Sequence, residues 1–277
     1  MNHASLRQYF YSELSAHYLQ GELQSLYHWC VLEIEGWNRA QAYLHNDDVV
    51  ATDRLNRWKE VIAELQNKRP IQYIFNKSTF FDLDLFVDER VLIPRPETEE
   101  LVEWVLEEES SLDLRVLDVG TGSGCIALAL KSARPYWEVS ACDVSEDALA
   151  VARQNAAKTH LPIRFALCDL RQSNFQLNQV DVVVSNPPYI PNNLNGSLAP
   201  NVQNHEPHLA LFAPENEPFY FFKRIADVAK KAGVKRVYFE THASDVEELS
   251  RAVQSFWSGL LTVKNDLNGK PRFLKLH

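Results

Sequence analysis

The chain has 277 residues, 45% of them apolar, and a formal net charge of −9 at pH 7. This length allows one large domain or two modest ones, and the apolar content excludes a wholly disordered chain. The negative charge offers no long-range attraction to nucleic acid, so we expect no direct nucleic-acid partner.

Four cysteines lie far apart and form no Cys-x-x-Cys pair. The sequence therefore predicts neither a disulfide framework nor a zinc site, and we expect no bound metal. The first residues contain no apolar signal core, and no stretch is long enough to span a bilayer. We therefore expect a cytoplasmic protein without a membrane partner.

The first seventy residues predict a small helical domain. Apolar residues recur at helical spacing over residues 6–26 and again over residues 55–65. We therefore assign residues 1–70 to this domain. Residues 71–90 are expected to form a linker with a β-hairpin, because aromatic residues partly alternate over residues 80–87.

A second region, residues 91–277, predicts an α/β domain. Pro96 is suited to open a helix whose first turn is acidic. From about residue 115 the pattern predicts alternating strands and helices: strands at 115–119, 139–143, 163–169, 180–185, 237–240, 261–263 and 272–276, and helices at 124–133, 145–158 (capped by Ser145), 219–231 and 244–256. Such alternation favours a mostly parallel, doubly wound sheet.

A glycine-rich segment, Gly120-Thr121-Gly122-Ser123-Gly124, joins the first of these strands to a helix. Glycines allow a tight turn and let a ligand approach the main chain and the helix N-terminus. The segment taken alone fits a dinucleotide site or a simple strand–helix connection equally well. It contains no lysine, so it is not a P-loop.

Two aspartates follow the next two strands. Asp143 is placed to accept both hydroxyls of a ribose, as acidic residues at this position can. Asp169 is placed to accept from an adenine amino group while Leu170 packs on the ring. Each aspartate alone could instead be a turn or capping residue.

The segment Asn186-Pro187-Pro188-Tyr189 ends a buried strand. Asn186 offers a carbonyl acceptor, the prolines lack N–H donors, and Tyr189 offers an aromatic face, a combination suited to holding a planar amide or amino group. A strand end followed by a proline turn is the alternative reading. With the glycine segment and both aspartates at ends of successive strands, the pattern favours methyl transfer from S-adenosylmethionine, a displacement that depends on positioning.

Several segments occur in a distinctive order: RPIQYI at 69–74, PRPETE at 94–99, DVGTGSG at 118–124, NPPYI at 186–190 and EPHLALF at 206–212. Together they resemble the HemK/PrmC family of peptide chain release factor glutamine N5-methyltransferases. The resemblance covers nearly the whole chain and is weakest in the first sixty and last fifty residues.

This resemblance implies a Rossmann-like, class I S-adenosylmethionine-dependent methyltransferase domain with a small N-terminal helical domain that helps to recognise the substrate. It implies methylation of the glutamine in the Gly-Gly-Gln motif of class 1 release factors, by a protein expected to be a monomer. The expected cofactor contacts are Gly120, Thr121, Gly122, Ser123, Gly124, Asp143, Asp169, Leu170 and Asn186. The expected substrate contacts are Asn186, Pro187, Pro188 and Tyr189, of which Asn186, Pro187 and Tyr189 are assigned to catalysis.

Three charged residues, Arg95, Glu97 and Glu99, are expected to help shape the pocket. The chain departs from the family pattern at Leu170, commonly aromatic in relatives, and at residues 213–218 and 231–235. Two alternatives remain open: an adenine or guanine nucleic-acid methyltransferase, which shares the Asn-Pro-Pro-Tyr motif, and a cofactor-binding protein without turnover. The acidic charge and the lack of a basic, aromatic-rich arm disfavour the first, and the intact Asn186 and Tyr189 disfavour the second.

Overall fold

The computed structural model describes residues 1–173, 175–191, 198–214, 217 and 219–277. Residues 1–76 and 199–205 form one compact unit, the helical unit, and residues 77–198 and 206–277 form a second, the sheet unit. Within the divergent stretch 213–218, residues 215, 216 and 218 lie outside the described residues. Among the described residues, none of the helices is long and apolar enough to cross a membrane.

The first 76 residues of the helical unit contain α1 (His3–Leu14), α2 (Gln20–Cys30), a π-helical turn (Val31–Glu35), α3 (Arg39–Leu44), α4 (Thr52–Gln66) and α5 (Ile71–Ile74). The side chains of Leu6, Phe10 and Leu14 recur every four residues along α1 and are fully buried. They share one core with Trp58 and Ile62 of α4. The helical periodicity of the sequence therefore becomes the apolar face on which the unit packs.

The hairpin predicted within residues 71–90 is shorter than expected. Residues 71–74 turn into α5, because the N–H groups of Tyr73 and Ile74 both donate to the Pro70 carbonyl, at 3.0 and 3.1 Å. The hairpin proper consists of two short antiparallel strands that follow this turn, in which Thr79 pairs with Asp84.

From residue 77 onward the elements are β1 (Ser78–Phe80), β2 (Leu83–Leu85), α6 (Pro96–Glu108), β3 (Arg115–Val119), α7 (Cys125–Ala133), β4 (Glu138–Asp143), α8 (Glu146–Thr159), β5 (Arg164–Leu167), β6 (Val182–Ser185), β7 (Ile190–Pro191), α9 (Pro200–His205), α10 (His208–Leu211), β8 (Phe212–Ala213), α11 (Tyr220–Lys231), β9 (Arg236–Glu240), α12 (Val246–Gln254), β10 (Leu261–Asn265) and β11 (Pro271–Leu276). Of these, only α9 belongs to the helical unit.

The central sheet of the sheet unit has seven strands in the order β10-β11-β9-β6-β3-β4-β5. Strands β5, β4, β3, β6 and β9 run parallel, and β11 is antiparallel to both of its neighbours. The predicted doubly wound, mostly parallel α/β sheet is confirmed. The strand order reverses between β3 and β6, which is where such sheets form a ligand crevice at their carboxyl edge.

Both faces of this sheet are covered by helices, which explains the unbroken run of valines in β6. Val182 and Val184 pack in the core formed with α6 and α7, whereas Val183 packs in the opposite core formed with α11 and α12. Successive side chains of a strand point to opposite faces, so a strand buried on both faces is apolar at every position.

Most predicted boundaries hold within a few residues, and the Ser145 cap of α8 is confirmed, since its hydroxyl accepts from the Ala148 N–H at 3.1 Å. Two differences concern strands that lead to the site. Strand β5 ends at Leu167, so Asp169 lies in the following loop rather than in the strand. Strand β6 begins at Val182, because the preceding Asp181 accepts from the backbone and guanidinium of Arg115.

Candidate active site

One cleft opens at the carboxyl edge of β3, β4, β5 and β6, within the sheet unit. It encloses about 1180 Å³ of empty space, its open mouth included, and its lining is mostly apolar. The predicted residues that line it are Gly120, Thr121, Gly122, Ser123, Asp143, Asp169, Leu170, Asn186, Pro187 and Pro188. Four loops far apart in the sequence therefore meet around a single space.

The glycine segment adopts a backbone that side chains disfavour. Gly120, Gly122 and Gly124 have φ angles of +73°, +54° and +85°, in the left-handed region that favours glycine. A Cβ at Gly120 or Gly122 would meet nothing within 4 Å, whereas one at Gly124 would lie 3.3 Å from the Cβ of Ala152. The first two glycines thus leave the main chain open to a ligand, and the third lets α8 pack closely.

Asp143, the last residue of β4, is anchored by backbone donors. Its carboxylate oxygens accept from the N–H groups of Gly122 and Ser145, both at 2.9 Å. Burial raises the pKa of this carboxyl, although these hydrogen bonds oppose the shift. The anchored carboxylate lines the cleft beside the glycine segment and has lone pairs left for the hydroxyls of a ligand.

Asp118 is a buried carboxyl beneath the glycine segment, to which the sequence assigned no separate role. Its Oδ2 accepts from the Thr121 hydroxyl at 2.5 Å and from the Ala127 N–H at 3.3 Å. Its Oδ1 is buried and has no hydrogen-bond partner among the described residues. Burial is the main reason that its pKa is raised to about 7.

Asn155 of α8 is a further residue that the sequence reasoning missed. Its fully buried amide accepts from the Phe86 N–H at 2.7 Å and donates to the carbonyls of Phe86 and Ser123, both at 2.9 Å. It therefore ties the segment after β2 to the glycine segment. Its position on the apolar face of α8, three residues after Ala152, was the available signal.

Asp169 and Leu170 lie side by side in the cleft, where one presents a carboxylate and the other an aliphatic side chain. Both oxygens of Asp169 pair with the guanidinium of Arg171, at 2.8 and 2.9 Å, and this pairing lowers the pKa of the carboxyl. The Leu170 carbonyl accepts from Arg224 at 2.8 Å, which holds the loop in place. The Leu170 side chain supplies an aliphatic surface to the cleft.

The side-chain amide of Asn186 is held by Thr98, a residue distant from it in the sequence. Its Nδ2 donates to the Thr98 hydroxyl oxygen at 3.2 Å, and the Thr98 hydroxyl donates to Glu240 Oε2 at 2.7 Å. Thr98 lies in the first turn of α6 and Glu240 at the end of β9, and both are almost fully buried. Burial is the main reason that the pKa of Glu240 is raised to about 7.

Tyr189 is not a lining residue of the cleft, unlike the other three residues of its motif. The Tyr189 ring lies beside that of His242, at a centroid distance of 6.3 Å. Burial raises the pKa of Tyr189 to about 12, so its hydroxyl stays protonated at neutral pH.

Of the three charged residues expected to shape the pocket, only Arg95 lines it. Arg95 pairs with Glu206 at 2.5 Å, and Glu206 also accepts from the Ile93 N–H at 3.4 Å. Glu99 accepts from the Phe81 N–H at 2.9 Å and so fixes the tip of the hairpin. Within the described residues, no group of three or more His, Cys, Asp or Glu side chains is arranged to hold a metal ion.

Family models match two parts of the chain: a methyltransferase small domain at residues 97–199 and a PrmC N-terminal domain at residues 5–75. Among solved structures, the catalytic domain of hMettl16 in complex with a MAT2A 3′UTR hairpin aligns over 81% of each chain, with a TM-score of 0.55 and 18% identity. A METTL16 methyltransferase domain aligns over 84% of each chain, with a TM-score of 0.51 and 15% identity. At these identities the likeness concerns the fold alone.

Curated relatives share much more of the sequence. The release factor glutamine methyltransferase of Flavobacterium psychrophilum is 35% identical over 98% of this chain and 97% of its own length. That of Bacteroides thetaiotaomicron is 33% identical over 96% of both chains, and that of Streptococcus pneumoniae is 45% identical over 66% of this chain and 65% of its own. With both the helical and the sheet unit covered at such identity, the chain belongs to the release factor glutamine methyltransferase family.

Proposed function

We propose that this protein transfers the methyl group of S-adenosylmethionine to the side-chain amide nitrogen (N5) of the glutamine in the Gly-Gly-Gln motif of class 1 release factors. The observation that carries the proposal is a single cleft in which the glycine segment and Asp143 adjoin Asn186 and Pro187. A nucleoside-type site and an amide-holding site at one edge fit a transfer between a nucleoside cofactor and an amide.

The residues present fit S-adenosylmethionine. Positive-φ glycines open the main chain to the ligand, Asp143 offers a fixed carboxylate for the ribose hydroxyls, and Leu170 offers an apolar surface for the adenine. When bound, the cofactor would supply a methyl group on a positively charged sulfur and leave as S-adenosylhomocysteine, while the amide nitrogen would release one of its two protons. Asp169 is kept as a proposed adenine contact, through the lone pairs that Arg171 leaves unused.

The chain's own contribution to the reaction is positioning. An amide nitrogen is a weak nucleophile because its lone pair is delocalised. Acceptance of its two N–H groups by Asn186 Oδ1 and the Pro187 carbonyl would direct that lone pair, and such alignment lowers a displacement barrier by several kcal/mol. Pro188 and the apolar lining keep water from the reacting atoms. We keep Tyr189 as a proposed contact of the substrate backbone or side chain rather than of the cofactor.

The helical domain, predicted at residues 1–70 and joined through residues 71–90 to a catalytic domain at 91–277, is proposed to recognise the release factor. In support, Tyr43, Leu44 and Val49 of the helical unit are 77%, 78% and 79% exposed, as side chains that meet a protein partner can be. We further propose a cytoplasmic monomer, in keeping with the substrate's place in translation.

The test is mass spectrometry of release-factor peptides after incubation with S-adenosylmethionine and either the wild type or Asn186→Ala. We expect a gain of one methyl group on the Gly-Gly-Gln glutamine with the wild type and near-complete loss with the variant. RNA and DNA are offered in parallel reactions. Preferential labelling of either nucleic acid would favour the amino-group methyltransferase alternative, and cofactor binding without any transfer would favour a binding protein.

A further inference from the structure

We propose that Thr98 and Glu240 are positioning residues that orient the Asn186 amide with its oxygen toward the substrate, and that they thereby make the cleft select glutamine over glutamate. The inference rests on the proposed function. The three side chains form a hydrogen-bonded row: Thr98 of α6, Glu240 of β9 and Asn186 of the loop after β6.

The direction of this row follows from the chemistry of a hydroxyl. The Thr98 hydroxyl carries one proton, and it donates that proton to Glu240 Oε2 at 2.7 Å. It can therefore face Asn186 only as an acceptor, so the amino end of the Asn186 amide must point at it, as the 3.2 Å contact from Nδ2 shows. The carbonyl end of the amide, Oδ1, is left for the cleft that Asn186 lines.

The charge of Glu240 sets the row's direction, because an ionised carboxylate is acceptor-only. Burial, the largest influence on the pKa of Glu240, and Glu97 of α6 disfavour the ionised form, whereas the Thr98 hydrogen bond, Arg272 of β11 and Arg95, which precedes α6, favour it. Since the pKa of Glu240 is raised to about 7, the carboxyl is mostly ionised at pH 8. Tyr189 also faces this group, and its own raised pKa keeps it neutral there.

The orientation of Asn186 decides which substrate group is accepted. Oδ1 accepts from an N–H, so it favours the amide of glutamine and repels the carboxylate of glutamate. A reversed Asn186 would present Nδ2, a donor, which suits a carboxylate and cannot hold an amide N–H. Buried polar groups that meet the wrong partner are the main source of strong discrimination between substrates.

The decisive variant is Thr98→Val, which keeps the shape of the side chain and removes the hydroxyl. Thr98→Ser restores the hydroxyl. Thr241→Val is the matched control, because Thr241 adjoins Glu240 in sequence and is fully buried, but its hydroxyl has no hydrogen-bond partner among the described residues. Thermal unfolding of all four proteins establishes that each is folded.

Two quantities are measured at pH 8: kcat with the intact release factor, and competitive inhibition by the same factor with its Gly-Gly-Gln glutamine replaced by glutamate. For Thr98→Val we expect a loss of kcat of about tenfold or more, the equivalent of one hydrogen bond. We also expect the glutamate form to become a tighter inhibitor. Thr98→Ser should be close to the wild type in both respects, and Thr241→Val should be unchanged.

Wild-type kcat and wild-type discrimination in Thr98→Val would overturn the inference. Equal losses in Thr98→Val and Thr241→Val would also overturn it, since they would show an effect of packing alone. Failure of the wild type to methylate the release factor at all would instead refute the proposed function, and the inference with it.

Discussion

Replacement of Asn155 by alanine tests whether the buried amide on α8 organises the cofactor side of the cleft. The substitution removes three hydrogen bonds, to the Phe86 N–H and to the carbonyls of Phe86 and Ser123. At about 0.5–1.5 kcal/mol for each bond, and with the Ser123 carbonyl left buried, the expected loss of unfolding free energy is roughly 2–4 kcal/mol.

The assay is urea unfolding of the full-length protein, combined with calorimetric titration of S-adenosylmethionine. Because one of the lost bonds holds the glycine segment, we expect weaker cofactor binding as well as lower stability. Asn155→Asp should be more damaging than Asn155→Ala, since it places a carboxylate against two carbonyl oxygens. Asn265→Ala, at an exposed position of β10, is the control and should change stability by no more than about 0.5 kcal/mol.

A loss below about 1 kcal/mol for Asn155→Ala would refute this reasoning, because it would mean that water or local rearrangement replaces all three bonds. Unchanged cofactor affinity despite a large loss of stability would refute the narrower claim that Asn155 acts through the glycine segment.

Two further predictions concern the same edge of the sheet. Gly122→Ala should cost roughly 1–2 kcal/mol from its left-handed backbone alone, and Gly124→Ala should cost more because its Cβ would also press on Ala152 at 3.3 Å; equal costs in urea unfolding would contradict this. Burial raises the pKa of Asp118 to about 7, so between about pH 4 and 7 the folded state keeps a proton that the unfolded state has released, and stability falls as the pH rises through this window. Asp118→Asn should therefore show a smaller decline in its urea midpoint between about pH 5 and 7 than the wild type, and an identical decline in both would contradict the assignment.

Much of the architecture could be predicted because its signals are local. Helical spacing in α1 and α4, the valine run of β6 and the Ser145 cap each depend on residues only a few positions apart. Element ends were less predictable. Strand β6 starts late because Asp181 is engaged by Arg115, 66 positions away, and α5 replaces part of the expected linker because two N–H groups find the Pro70 carbonyl.

The residues of the candidate site also fall into two groups, those that the sequence predicted and those that it did not. Glycines, aspartates and the Asn-Pro-Pro-Tyr motif stand at ends of predicted strands, and a parallel sheet brings such ends to one edge, so the cleft's main residues were predictable from the sequence. The packing of the Tyr189 ring beside His242 was not, because the direction of a side chain after two prolines depends on what packs around it.

The partners of these residues were decided only by the tertiary structure. Thr98 and Glu240 are 142 positions apart, and Asn155 lies 69 positions from Phe86. No local pattern marks such pairs, because a buried hydrogen bond needs two groups at the right distance and angle. These arise only when α6 and α8 have packed on the sheet that contains β9. The sequence alone determined which chemistry was available at the carboxyl edge, whereas packing determined how Asn186 and the glycine segment are held there.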